Sequence, residues 1–188
     1  FIPYLYETYM RLGKEHTGTD RRFVEGTPGP TYMTGFVSSM HTWIQLLFLE
    51  GGKENLERAE NYFVWLREHN PHPDGCTQEQ YLVTVEQFVM GQIFDQLQTY
   101  KGDIPSLFTR NEVLVISDGF AARAGTLTSG WDRFMPWRTT DGESLASAGA
   151  VQLEVLVNGI FEKQRFLDYV LHFIAFEDDG KEIVKKAA

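Results

Sequence analysis

Apolar positions recur at helical spacing through the first hundred residues, and the pattern then changes. Leu5, Tyr9 and Leu12 fall three or four apart and predict a helix over residues 4–14. The stretch Gly26-Thr-Pro-Gly-Pro30 is a cluster of breakers and reads as a loop. Phe36, Met40, Trp43 and Leu47 form the stripe of a second helix over 32–50, which Gly51-Gly52 stops. Leu56, Ala59, Tyr62, Phe63 and Leu66 mark a third over 53–70, closed by Pro71 and Pro73. Two helices on a two-glycine turn predict an αα-hairpin. Thr77 with Gln80 reads as a capping box, opening a helix from 78 to about 101 along Leu82, Val85, Val89, Ile93, Leu97 and Tyr100. Gly91 lies inside it and weakens it.

Beyond Pro105 the run Glu112–Ser117 is short, apolar and β-branched, and Asp118-Gly119 closes it: a buried strand and a turn. A lone strand leaves its edges unpaired, so a partner is expected within 120–140. Residues 120–147 read as loop with a short hairpin. Helices are expected within 148–158, where Gly159 breaks the pattern, and within 162–174, with Phe166, Leu167, Val170, Phe173 and Ile174 turned inward. Asp178-Asp-Gly180 is a turn, and 181–188 reads as the start of a further helix. The fold class expected is mainly α with a small β element.

The composition is that of an ordinary globular chain of 188 residues, 43% hydrophobic and 23% charged. The net charge of −9 argues against a broadly basic nucleic-acid surface but leaves room for a local cationic patch. The apolar run from Trp43 to Leu49 is interrupted by Gln45 and falls short of the ~20 residues that a spanning helix needs, so no membrane association is expected. No basic segment leads into an apolar one in the manner of a secretory leader. The first residue is Phe1, read as the mark of a processed chain or of a piece of a longer frame. A lone cysteine, Cys76, rules out a disulfide framework and fits a reducing, cytoplasmic setting.

Candidate chemistry is sparse. His69, His72, Asp74 and Cys76 fall close together, but two prolines stiffen that loop and no second ligand pair lies nearby; a polar loop is the better reading, and no metal site is assigned. Ser117-Asp118-Gly119 is better read as turn chemistry than as a catalytic loop. No phosphate-binding glycine motif is present. Gln96 and Tyr100 lie four apart and share a helix face, which on spacing alone is a polar helix end.

Three segments carry more. QLQTYKGDIPSLFTRNEVLVISDG, then ARAGTLTSGWDRFMPWRTTDGE, then QLEVLVNGIFEKQRFLDYVLHFIAFEDDGKEIVKK run in order over about half of the chain. They resemble the restriction (R) subunit of type I restriction-modification enzymes, at the end of its N-terminal nuclease domain and the lead-in to its helicase domain. The resemblance implies a truncated α/β restriction-endonuclease-like piece after the helical hairpins, with divisions at 1–95, 96–147 and 148–188. It places the accessory Gln-x-x-x-Tyr nuclease motif on Gln96 and Tyr100, which would brace a site and contact DNA. It implies Mg²⁺ and ATP for the intact enzyme, none bound by this chain, with DNA and the modification and specificity subunits as partners. The family's Asp and acidic-x-Lys strand should precede Gln96. Asp74 follows Pro73, but no acidic-x-Lys follows on an apolar strand, so the cleavage centre is not expected here and the chain alone is expected to be inactive. Lys101, Arg110, Arg123, Arg133 and Arg138 are the cations available to a DNA-facing side, with Lys101, Arg123 and Arg138 the leading candidates; otherwise they are solvated charges or partners of Asp118, Asp132 and Asp141.

Residues 1–95 do not match that family. Residues 59–71 faintly resemble the second helix of a tetratricopeptide repeat. A natural fusion near Gln96 or a join of two fragments would account for the seam, and its abruptness favours the join. The alternative function is a helical protein-interaction module in residues 1–95, without catalytic activity.

Overall fold

The computed structural model describes residues 2–17, 28–70, 77–178 and 183–187. The chain forms two compact units, 1–89 and 90–188.

The first unit is helical: α1 Ile2–Thr17, α2 Pro28–Glu50 and α3 Lys53–His69. Pro28 to Pro30 form the first turn of α2 rather than a loop, as the missing proline N–H permits at a helix start. Gly51 and Gly52 adopt φ of 69° and 81°, the left-handed region where a β-carbon is strained, and so turn the chain between α2 and α3. The buried stripe of α2 is Met33, Phe36, Met40, Ile44 and Leu47. Ile44 takes the inner position expected for Trp43, which is 45% exposed. On α3 Ala59, Phe63 and Leu66 are buried while Leu56 faces solvent. Tyr6, Phe36 and Trp65 meet edge to face at 5.1–5.6 Å and tie α1 to the hairpin.

The next helix, α4 Val85–Asp103, starts seven residues later than the sequence pattern predicts. Its box is Thr84 with Gln87: the Gln87 N–H donates to Thr84 Oγ1 at 3.2 Å and the Thr84 N–H to Gln87 Oε1 at 3.1 Å. Residues 79–81 form a 3₁₀ turn that buries Tyr81 instead. Among the described residues, none of 1–95 is in a strand.

In the second unit, β1 Leu114–Ser117 pairs antiparallel with β2 Ala122–Gly125, the partner segment expected. Asp118 Oδ1 accepts the N–H groups of Phe120 (2.9 Å) and Ala121 (2.7 Å) and makes the turn. Strand alternation gives the hairpin two covered faces. Leu114 and Ile116 pack with Met90, Phe108 and Phe134 and with Ile93, Phe94 and Leu97 of α4. Ala122 and Ala124 pack instead on Leu156 and Ile160 of α5 Gln152–Ile160.

Gly159 does not break α5; it lies inside the helix, against Trp137. Helix α6 Lys163–Asp168 is short and passes through a π turn at Tyr169–Phe173 into β3 Ile174–Asp178. The helix expected to reach residue 174 therefore ends early, and Leu167 and Phe173 are exposed rather than inward. The further helix expected over 181–188 is instead a strand, β4 Ile183–Ala187, antiparallel to β3. Valine and isoleucine are stiff at χ1 and suit the extended chain.

Candidate nucleic-acid interface

The face of α4 opposite its apolar contacts carries the polar groups. Ile93, Phe94 and Leu97 hold the helix against the hairpin, and this leaves Gln96 and Tyr100 exposed on adjacent turns. Gln96 Nε2 donates to the Tyr100 phenol oxygen at 2.8 Å. That bond fixes both side chains. It occupies an acceptor position of the phenol and leaves the phenol O–H, the second amide N–H and the amide carbonyl for an external group.

Lys101, the next residue, turns partly inward. Its Nζ donates to Gln98 Oε1 at 2.8 Å. Burial, with no carboxylate to compensate, pulls its pKa below the usual lysine value. The Gln98 amide nitrogen is buried without a partner among the described residues.

Arg123 projects from the hairpin face that also carries Leu114 and Ile116. Its guanidinium lies 5.0 Å from the centre of the Trp131 ring and donates to the Phe134 carbonyl at 3.0 Å. Trp131 and Phe134 both pack on Phe94 of α4, at 5.6 and 5.2 Å. Arg123 therefore stands on the α4 side of the hairpin, with part of its donor capacity spent on its own fold. Arg133 pairs with Asp132 at 3.4 Å, and both are largely exposed. Arg110 and Arg138 are exposed, and neither guanidinium has a hydrogen-bond or ion-pair partner among the described residues, although the Arg138 carbonyl accepts the Ala146 N–H at 2.9 Å. Asp118 and Asp141 are not arginine partners; each accepts backbone N–H groups in a turn. The N–H groups of Ser144 and Glu143 hold the Asp141 carboxyl below its usual pKa.

Spacing puts Gln96 and Tyr100 on one helix face, and the resemblance singled them out as a site. Arg165, by contrast, carries no sequence signal, yet it donates to the carbonyls of Thr140 (2.8 Å) and Gly159 and so holds the 139–145 loop to the end of α5. Of the possible metal loop, His72, Asp74 and Cys76 lie outside the described residues. His69 stacks on Trp65 at 4.3 Å and bonds its carbonyl through Nδ1 at 2.9 Å. Among the described residues no three His, Cys, Asp or Glu side chains are grouped to hold a metal, and no helix is long and apolar enough to cross a membrane.

No family model matches the chain, and no solved structure does. Two curated proteins match. The type I restriction enzyme HindI endonuclease subunit of Haemophilus influenzae is 41% identical over 101 residues, covering 52% of this chain and 10% of that protein. The type I restriction enzyme MjaIXP endonuclease subunit named from Methanocaldococcus jannaschii is 28% identical over 107 residues, covering 48% of this chain and 10% of that protein. The resemblance to type I restriction endonuclease subunits is thus shown over about half of the chain, and the chain spans about a tenth of the length of the relatives it matches.

Proposed function

We propose that this chain contributes a DNA-contacting segment of a type I restriction endonuclease subunit, a restriction-endonuclease-like piece in which Gln96 and Tyr100 present hydrogen-bonding groups to a phosphate. The single observation that carries the reading is the bond from Gln96 to Tyr100, which locks two exposed polar side chains of α4 into one orientation. The relatives' names supply the reaction class. Lys101, beside the pair, adds charge, and Arg138 adds a free guanidinium. Contacts of this kind hold duplex in register without reading its sequence.

Cleavage belongs to the intact enzyme in this reading. Its Mg²⁺ needs paired carboxylates, which the resemblance places on segments other than Gln96 and Tyr100. No catalytic step is assigned to these residues in this reading. The modification and specificity subunits are the expected partners, acting in the cytoplasm.

The test is duplex affinity of the full chain at two salt concentrations, for the native protein and for Gln96→Ala, Tyr100→Phe and Lys101→Ala. Weak, salt-sensitive binding reduced by each variant supports the reading. No binding at low salt, or equal binding by all four, removes it.

A second reading has one observation in its favour. Trp43, Leu46 and Leu49 recur at steps of three along α2 and are exposed, as on a helical protein-interaction module in residues 1–95. Polar substitutions at Leu46 and Leu49 that abolish assembly with purified modification and specificity subunits, with DNA affinity unchanged, would favour it.

A further inference from the structure

A cavity of about 350 Å³ opens between the 136–147 loop and the start of α5. Its walls are apolar where Pro136, Trp137 and Val155 line it. Its polar lining is rich in donors. Among the described residues Arg138 is the one charged residue at the cavity, no acidic residue lines it, and the guanidinium has no partner. Gln152 also lines it, and its amide is oriented: Oε1 accepts the Ala122 N–H at 3.3 Å. The amide nitrogen, with two N–H groups, has no acceptor among the described residues.

An apolar hollow of this size with unspent donors and no acceptor charge suits a ligand with a flat apolar body, carbonyl acceptors and a negative charge. We infer that this cavity takes one unstacked nucleotide of a DNA strand, its phosphate on Arg138 and its base against the apolar wall with a carbonyl edge on the Gln152 amide. Guanidinium and phosphate form charge-assisted, often bidentate bonds, and a base freed from its stack recovers contact in such a pocket. The inference rests on the DNA reading above and adds a subsite for single-stranded DNA to it.

The experiment compares the full chain's affinity for a short oligothymidylate, an abasic strand of equal length and a duplex. Two variants probe the pocket. Gln152→Glu keeps the acceptor for the Ala122 N–H but replaces the amide donors with a charge that repels phosphate. Ala150→Leu fills the cavity without touching Arg138. The expected result is oligothymidylate bound about tenfold more tightly than the abasic strand, with that advantage lost in both variants. Equal binding of the two strands, or an advantage that survives both variants, overturns the subsite. Duplex binding without strand binding overturns the subsite and leaves the DNA reading standing. No binding of any of the three overturns both.

Discussion

The indole of Trp137 occupies the space that a β-carbon on residue 159 would need, with the Thr139 carbonyl beside it. Glycine at 159 therefore sets how closely the loop approaches α5, and through Leu156 and Ile160 how α5 covers the hairpin. A helix accepts an interior glycine at a cost of about 1 kcal/mol, which the closer packing offsets here. Gly159→Ala must push the indole away, and such overpacking costs about 1–3 kcal/mol. Gly91, inside α4, has nothing within 4 Å of where its β-carbon would lie. Gly91→Ala should instead add up to about 1 kcal/mol. Urea unfolding of the two variants should shift the midpoint in opposite directions; a shift in the same direction would contradict the packing.

A second prediction concerns the start of α4. Thr84→Ala should destabilise by about 1 kcal/mol, because it removes the acceptor for the Gln87 N–H. Thr77→Ala should leave the urea midpoint unchanged. Reversal of that order would place the helix start where the sequence pattern put it.

Why the pattern misplaced it is physical. Thr77 and Thr84 are each followed by Gln three residues on, and the two boxes lie seven residues apart. Seven residues are close to two helical turns, so both starts put the same apolar stripe on the same face. Tertiary contact decides. Tyr81 is fully buried, its phenol 2.8 Å from His41 Nε2 and 3.3 Å from Asn70 Nδ2, and the 3₁₀ turn at 79–81 carries it there. The α2–α3 hairpin was legible because the Gly51-Gly52 stop leaves no alternative register. The β1–β2 pair was legible because its apolar strand and Asp-Gly turn agree. The C-terminal hairpin was not, since eight residues distinguish a helix from a strand poorly, and the pattern through 162–174 continues straight into β3. At the candidate site, Gln96 and Tyr100 could be paired from spacing, but Arg123's engagement with Trp131 depends on a loop that sequence cannot orient.

His41 sets a pH dependence. Burial lowers its pKa from 6.5 to about 4, so the folded protein holds it neutral while the unfolded chain protonates near 6.5. Between those values the unfolded state binds more protons, and stability falls as pH drops from about 6.5 toward 4. Above that window the contribution is fully present. The ionisable group facing the ring is Tyr81, whose pKa burial raises, so it stays neutral throughout. Measured by urea midpoint from pH 7 to pH 4, the native chain should lose stability more steeply than His41→Gln. Parallel curves would mean that the imidazole is solvated.

The remaining prediction separates a DNA contact from a structural one. Each phosphate contact contributes about −0.9 to the slope of log affinity against log salt. Lys101→Ala removes a charge whose one bond is to a neutral amide, so it should weaken duplex binding, flatten that slope by about 0.9 and barely move the urea midpoint. Arg123→Ala removes a cation from the face of Trp131 and a donor from the Phe134 carbonyl. Its cost should appear in folding, at about 1–3 kcal/mol, and its effect on the slope should be the smaller of the two. Arg133→Ala, which breaks an exposed pair with Asp132, should change stability by less than about 1 kcal/mol. Measuring slope and midpoint for each variant places every cation on one of the two axes. If Lys101→Ala left the slope unchanged while Arg123→Ala flattened it at constant stability, the DNA-facing charge would sit on the hairpin and not on α4.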